Sequence, residues 1–418
     1  MTRDVRMRGF AERVDVEQVD RLLASGCLPL PAERVGLLDS VGRVLAEDVV
    51  ARVNVPGFAR SAMDGYAVRG EDTFGASEYT GLPLTVIGES YPGRAFGGSV
   101  GEAEAVRIMT GAPIPAGANA VVKAEVCEER GGQVWVREPV APRKNIGAIG
   151  EDIRVGDPVL RKGRRIRPQD AGLLASIGCA DISCVRQPRV RLVITGDELL
   201  APGSTPSGFS IVDSNSVVLR ALAARDGGVV LPYELLPDQP ERIRDALLAG
   251  DADVVLVSGG SSVGAEDHAP RLLAEHGTLL FHGVSMRPSS PAGGGRIGKA
   301  WVFLLPGNPV SCLCAYEFFA GPTTRALGGR SRAWPHRRVR AVLARKLSSE
   351  VGRTDYVRVR FEDGRIAPLA TAGASILSST VRADGFVIVP RELEGMPEGA
   401  EVEVFLYDDE PRADAIGT

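Results

Sequence analysis

Apolar positions change their spacing several times along the chain, and each change predicts a different kind of element. Residues 15–26 carry Val19, Leu22 and Leu23 on one helical stripe, with Asp15 and Gln18 spaced as a capping box. From 56 to 155 the period shortens. The β-like runs LPLTVIG, AVRIMTG, NAVVKAEV and QVWVRE are separated by Gly/Pro turns, which predicts a mostly β region. At its start PGFARSAMDGYAV (56–68) fits neither a helix nor clean alternation, and it sets Asp64 beside a glycine between apolar flanks. PQDAGLLASIG (168–178) reads as a helix that Pro168 opens and Gly178 stops.

After residue 188, strand and helix patterns take turns. RVRLVITG (189–196), ADVVLVSGG (252–260), TLLFHGV (278–284) and AWVFLLPG (300–307) read as buried strands; 216–227, 240–249 and 310–326 read as helices. That alternation predicts a parallel, doubly wound α/β sheet with ligands at the carboxyl ends of its strands. From 331 the texture is β again, in DYVRVRFED, FVIVP and AEVEVFLY, with a turn at Glu362-Asp363-Gly364 and a frayed tail after Asp408. The expected class is therefore α/β plus β and multi-domain. A helical-β region at 1–55 and 156–188, with 15–36 packing on the α/β domain, frames a mostly β inserted domain at 56–155. An α/β domain at 189–330 and a small C-terminal β domain at 331–410 follow.

Composition narrows the function classes. A chain of 418 residues, 44% hydrophobic and 24% charged, is globular and large enough for two to four domains. A net charge of −4 supplies no general attraction to nucleic acid or to anionic lipid. No apolar run reaches membrane-spanning length, and MTRDVRMRGFAERVD has no apolar segment of a secretory signal. The six cysteines show neither CxxC pairs nor a disulfide rhythm, so reduced thiols in a cytoplasmic protein are expected. Four histidines, none at ligand spacing, leave no His-rich zinc site.

Candidate chemistry gathers at three strand ends. ITGDEL (194–199) presents Asp197 and Glu198; acids there suit either a site or a solvated helix start. SGGSSVG (258–264) offers close backbone N–H groups and hydroxyls, as a phosphate cradle needs and as a tight turn also supplies. It is neither a Walker A loop nor a GxGxxG fingerprint. Glu266 and Asp267 follow it and would repel phosphate unless a divalent cation bridges them. LPGNPVS (305–311) is a stiff loop with room at Gly307, read as a ligand loop or a plain turn. Asp213-Ser214-Asn215 precedes a helix as a cap or a site. Cys312 and Cys314 read as core residues.

In order, PGFARSAMDGYAV, RIMTGAPIPAGANAVVKAE, GEDI, ITGDEL, Asp213-Ser214-Asn215, SGGSSVG, LPGNPVS and SILSSTVRADGFVIVP resemble the MoeA family of molybdopterin molybdenumtransferases, which includes the gephyrin E domain. The likeness spans roughly residues 15 to 408. It implies an elongated cytoplasmic homodimer of four-part subunits with a central MogA-like domain. It also implies insertion of molybdate into adenylylated molybdopterin with release of AMP, assisted by Mg2+. A molybdopterin adenylyltransferase would donate the substrate, and neither nucleic acid nor membrane is involved. By motif, Asp64 and Thr110 project into a cleft completed by the other subunit. Glu198, Asp238 and Asp267 bind the cation or position water, and Asp152 matches a further family acid. Asp213 and Asn215 belong to the cofactor set. Ser258, Gly259, Gly260, Ser261 and Ser262 hold phosphates, and Pro306, Asn308, Pro309 and Ser311 line the pterin end. Arg353 and Ser379 hold molybdate, a tetrahedral dianion suited to guanidinium and hydroxyl donors.

One segment departs from the resemblance. Where the family reads Lys-Pro-Gly-Lys-Pro and then an aromatic-containing strand, this chain has Met286-Arg287-Pro288-Ser289-Ser290-Pro291-Ala292 and then Gly293-Gly294-Gly295. Arg287 keeps the first positive charge; Ser290 leaves the second neutral. One lost charge-assisted bond is worth about 1.5–3 kcal/mol, roughly tenfold to a hundredfold in affinity. Arg296 or Lys299 reaching back, weaker oxyanion capture, and a specialised paralogue with another anionic or nucleotide substrate are the alternatives. A non-catalytic dimeric scaffold is a further one, and the retained acids argue against it.

Overall fold

The computed structural model describes residues 13–260, 268–370 and 373–408. The tail beyond Asp408, most of the N-terminal stretch, and Ser261, Ser262 and Asp267 lie outside those residues. The chain divides into two compact units, 34–41 with 45–183, and a second made of the preceding residues, 42–44 and 184 onward.

The first unit is built on a six-stranded sheet in the order Ala120–Lys123, Gly65–Val68, Glu104–Ile108, Leu82–Ser90, Gln133–Val136 and Cys127–Arg130. Successive side chains serve opposite faces. Tyr66, Val68, Ala120 and Val122 pack in one cluster, while Ala67, Val106 and Val121 pack in the other. Both faces are thus covered, which explains why GYAV shows no alternation and yet forms a strand buried throughout. The glycine after Asp64 has a steric reason: a Cβ on Gly65 would lie 1.9 Å from the Val122 carbonyl oxygen.

In the second unit the strands Arg189–Thr195, Val254–Ser258 and Ala300–Leu305 run parallel, with Val229–Val230 and Leu235–Leu236 parallel to the first of them. Alternation again divides the core. Val190, Leu192 and Ile194 face the helices Val16–Gly26 and Asn215–Arg225, whereas Val193, Val255 and Val257 face Pro240–Leu248 and Ala269–His276. The sheet is doubly wound but not wholly parallel. Gly293–Ile297 enters antiparallel between Ala300–Leu305 and Thr278–His282. Its glycines are a packing solution: a Cβ on Gly294 would meet the Phe281 ring at 2.8 Å, and one on Gly295 the Thr278 carbonyl oxygen at 2.0 Å.

The predicted helix at 310–326 is Pro309–Ala315, a wider π turn over Tyr316–Ala320, and Gly321–Leu327. The wider turn immediately precedes Pro322, whose missing N–H cannot continue regular α bonding. The predicted capping box at 15–18 does not form. Asp15 starts Val16–Gly26 without a side-chain cap, because its carboxylate is paired with Arg391.

A second sheet in this unit has the order Met286–Arg287, Thr354–Glu362, Gly385–Val389, Glu401–Leu406 and Arg338–Val342, with Arg365–Ala370 also paired to Thr354–Glu362. The turn joining Thr354–Glu362 to Arg365–Ala370 is Asp363-Gly364, both at positive φ (48° and 75°), a two-residue hairpin loop. Met286–Arg287 comes from the α/β segment, so the departing loop is sewn into this sheet.

Candidate functional site

The parallel strands end on a common rim, and three short loops leave it. After Arg189–Thr195 the chain turns at Gly196 toward Glu198 and Leu199. After Val254–Ser258 comes Gly259 at φ 97°, where a Cβ would sit 2.1 Å from the Thr195 carbonyl oxygen; only glycine fits a turn lying flush on the neighbouring strand end. After Ala300–Leu305 comes Gly307, whose Cβ position lies 3.9 Å from the Gly259 Cα, so these loops are adjacent. Asn215 ties them together. Its amide donates to Ser258 Oγ at 2.9 Å and to the Gly307 carbonyl at 2.7 Å.

These loops enclose a cavity of about 560 Å³. Glu198, Asp238, Asp213, Asn215, Ser258, Gly259, Gly260, Asn308 and Pro309 all line it, gathered from stretches more than a hundred residues apart. Its other wall is aliphatic: Ile194, Leu199, Ile211 and Val212. Leu199–Leu200 pairs in parallel with Ile211–Val212, which holds that wall upright. Buried polar atoms around the cavity lack partners among the described residues: Thr195 Oγ1, Asp213 Oδ2, Ser216 Oγ and Asp238 Oδ1. Such atoms are costly unless something else satisfies them. Beneath the floor, burial pushes the Cys312 thiol up to about 12, with the Asp213 charge adding to it against a contact from Ser258. This cysteine is packing, as are its neighbours in the buried helix.

The remaining candidates are placed elsewhere. Pro306 and Ser311 flank the cavity without lining it; Ser311 is buried and its carbonyl accepts from the Ser289 hydroxyl. Arg287 and Arg353 converge on one buried carboxylate, Asp355, at 2.6 and 2.9 Å, and Ser349 donates to it at 3.0 Å. Each guanidinium keeps a buried nitrogen with no partner, Nε of Arg287 and Nη2 of Arg353. Ser379 is buried and its hydroxyl donates to the Ile376 carbonyl at 2.6 Å, inside its own turn. From that same motif it is Ser375 that lines the cavity, next to Ala374, whose carbonyl accepts the Val310 N–H at 2.9 Å. Ser375 was not among the expected site residues, because spacing within SILSST does not reveal which hydroxyl faces the cavity.

In the other unit Asp64 and Thr110 form an exposed pair. Asp64 Oδ1 accepts the Thr110 N–H at 2.6 Å and its hydroxyl at 2.8 Å. The backbone N–H first, then the hydroxyl, hold the Asp64 carboxyl below the usual aspartate value. Asp152 is exposed in the same unit. Among the described residues no three His, Cys, Asp or Glu side chains are grouped to hold a metal; Glu198, Asp213 and Asp238 each bring a carboxylate to the cavity lining. No helix among the described residues is long and apolar enough to cross a membrane.

Comparison with known proteins matches three successive stretches of the chain. Residues 14–178 match the family model for the MoeA N-terminal region, domains I and II; 191–326 match a probable molybdopterin binding domain; and 340–407 match the MoeA C-terminal region, domain IV. A molybdopterin molybdenumtransferase of Haemophilus influenzae is 35% identical over 390 residues, covering 90% of this chain and 95% of its own. A putative molybdopterin biosynthesis protein of Methanocaldococcus jannaschii is 33% identical over 95% of this chain and 96% of its own. The crystal structure of a molybdopterin biosynthesis MoeA protein from Pyrococcus horikoshii superposes with a TM-score of 0.81 at 31% identity, covering 96% of this chain and all of that one.

Proposed function

This chain belongs to the MoeA family, and from that premise we propose that it is the molybdopterin molybdenumtransferase of molybdenum cofactor biosynthesis, splitting adenylylated molybdopterin and releasing AMP as molybdate is inserted. The observation that carries this reading is the cavity at the strand ends, where glycine turns, three carboxylates and unpartnered buried oxygens share one space. Gly259 and Gly260 offer backbone N–H groups to the phosphoanhydride. Asn215 spends both its N–H groups on protein acceptors, so its part is to hold the loops at a set spacing. A water molecule attacks the α-phosphorus and the P–O bond to the bridging oxygen breaks. AMP leaves carrying the water oxygen on its α-phosphate, and molybdopterin keeps its own phosphate with the bridging oxygen.

A magnesium ion fits the chemistry of Glu198 and the unpartnered Asp238 Oδ1, both hard oxygen donors. When bound there it would neutralise phosphate charge. Asp267 would join them, and Ser261 and Ser262 would extend the phosphate cradle. Arg287 and Arg353, each held in place by Asp355 with a nitrogen left over, serve the molybdate. Asp64 and Thr110 act from the partner protomer of a homodimer, and a molybdopterin adenylyltransferase supplies the substrate.

Purified protein incubated with adenylylated molybdopterin, magnesium and molybdate should release AMP stoichiometrically with cofactor. Absence of both binding and AMP release overturns the reading. A second reading, a paralogue with weakened molybdate capture, draws on a specific observation: Arg287 is already ion-paired with Asp355, and the second cationic position is Ser290.

A further inference from the structure

We propose that Asp213 selects the substrate by accepting an N–H donor edge of its fused heterocycle, either the aminopyrimidinone edge of a pterin or the exocyclic amine of an adenine. The proposal rests on the reading of the cavity given above.

Asp213 is 4% exposed and lines the cavity. Oδ1 accepts the Ser216 N–H at 3.1 Å, in the first turn of Asn215–Arg225. Oδ2 is buried and has no hydrogen-bond partner among the described residues. A cap needs only one oxygen, so capping accounts for half of this carboxylate. The other half is a strong acceptor removed from water, a costly arrangement that a donor on a ligand would repair.

The surroundings choose the donor. Ile211 and Val212 immediately precede Asp213, and Leu199 and Ile194 complete the aliphatic wall. Apolar walls suit the faces of a flat ring, and a single well-placed polar group fixes its edge. Phosphate oxygens would be repelled here. A cation is the other candidate for a bare carboxylate oxygen, as it is at Asp238, and magnesium chelation tells the two apart.

The experiment uses the full chain, with AMP, IMP and 6-hydroxymethylpterin as probes in titration calorimetry and melting curves alongside. Asp213→Asn keeps Oδ1 for the Ser216 N–H and replaces Oδ2 by an amide donor. Binding of AMP or of the pterin should fall at least tenfold with the melting temperature unchanged, by the usual worth of a bond to a charged acceptor. A fall for AMP together with a gain for IMP assigns the contact to the purine; a fall for the pterin alone assigns it to that ring. Asp213→Ser, which still caps, must show the same loss if the Asn variant melts early. Equal binding of both probes by the variants, within twofold, overturns the proposal and leaves Asp213 as a cap. So does a loss that disappears when magnesium is chelated, which would make Asp213 a cation ligand. If the unaltered protein binds neither AMP nor the pterin, the reading of the cavity fails and this proposal with it.

Discussion

Asp64 is held ionised by two donors of unequal weight, both from Thr110. Thr110→Val removes the hydroxyl and leaves the larger influence, the backbone N–H. The Asp64 titration midpoint, followed by carbon NMR of its carboxyl, should rise yet stay below the ordinary aspartate value; an unmoved midpoint would mean the hydroxyl contributes nothing. Because the shift is downward, the carboxylate is charged at any pH above the usual aspartate range, so no activity change near neutrality belongs to it. The other informative residue is Ser290. Ser290→Lys should tighten molybdate binding by about tenfold to a hundredfold, measured by equilibrium dialysis. No change would show that the neutral position does not limit oxyanion capture. Residue identity was well legible where the backbone conformation demands it, as in the Asp363-Gly364 turn with both residues at positive φ. It was poorly legible where a hydroxyl chooses between its own turn and a cavity, as with Ser379 and Ser375.

Among the elements, Gly293–Ile297 was the strand least visible in the pattern, because three glycines carry no hydropathy signal. It exists because its neighbours leave room for a backbone alone. Gly295→Ala should therefore destabilise the protein by about 1–3 kcal/mol, with more if the strands cannot part, read by urea unfolding. The helical stretch through Tyr316–Ala320 carries the opposite kind of feature, a buried charge. Burial alone would raise the Glu317 carboxyl, but His336 and Arg225 overcome it and hold the group at about 2. A depressed folded-state value means its stabilisation is complete above the ordinary glutamate value and is lost as pH falls from there toward 2. Glu317→Gln leaves Arg225 without this counter-charge and should cost about 3–5 kcal/mol near neutrality. Acid unfolding of the variant should also show a shallower pH dependence over that window. The strands Arg189–Thr195, Val254–Ser258 and Ala300–Leu305 were legible, since runs buried on both faces must be apolar throughout.

For the whole molecule, the proposed homodimer with sites shared between protomers makes a quantitative claim. Asp64→Asn and Glu198→Gln should each abolish AMP release. Mixed one to one and allowed to exchange, they should recover about a quarter of the unaltered activity, because half the dimers are mixed and each has one site free of either change. No recovery, with exchange verified by native mass spectrometry, would place both residues in the site of one protomer.

The order of elements, the doubly wound class and the three glycine-bearing loops followed from the chain's own pattern, because burial on one or both faces dictates apolar spacing and strand ends must turn. The membership of the cavity did not. Leu199 with Ile211 and Ser375 beside Val310 meet through parallel pairing and loop docking. Local spacing carries no record of those meetings; only the packed fold decides which of several chemically equal side chains is spent on the protein and which is left facing the space.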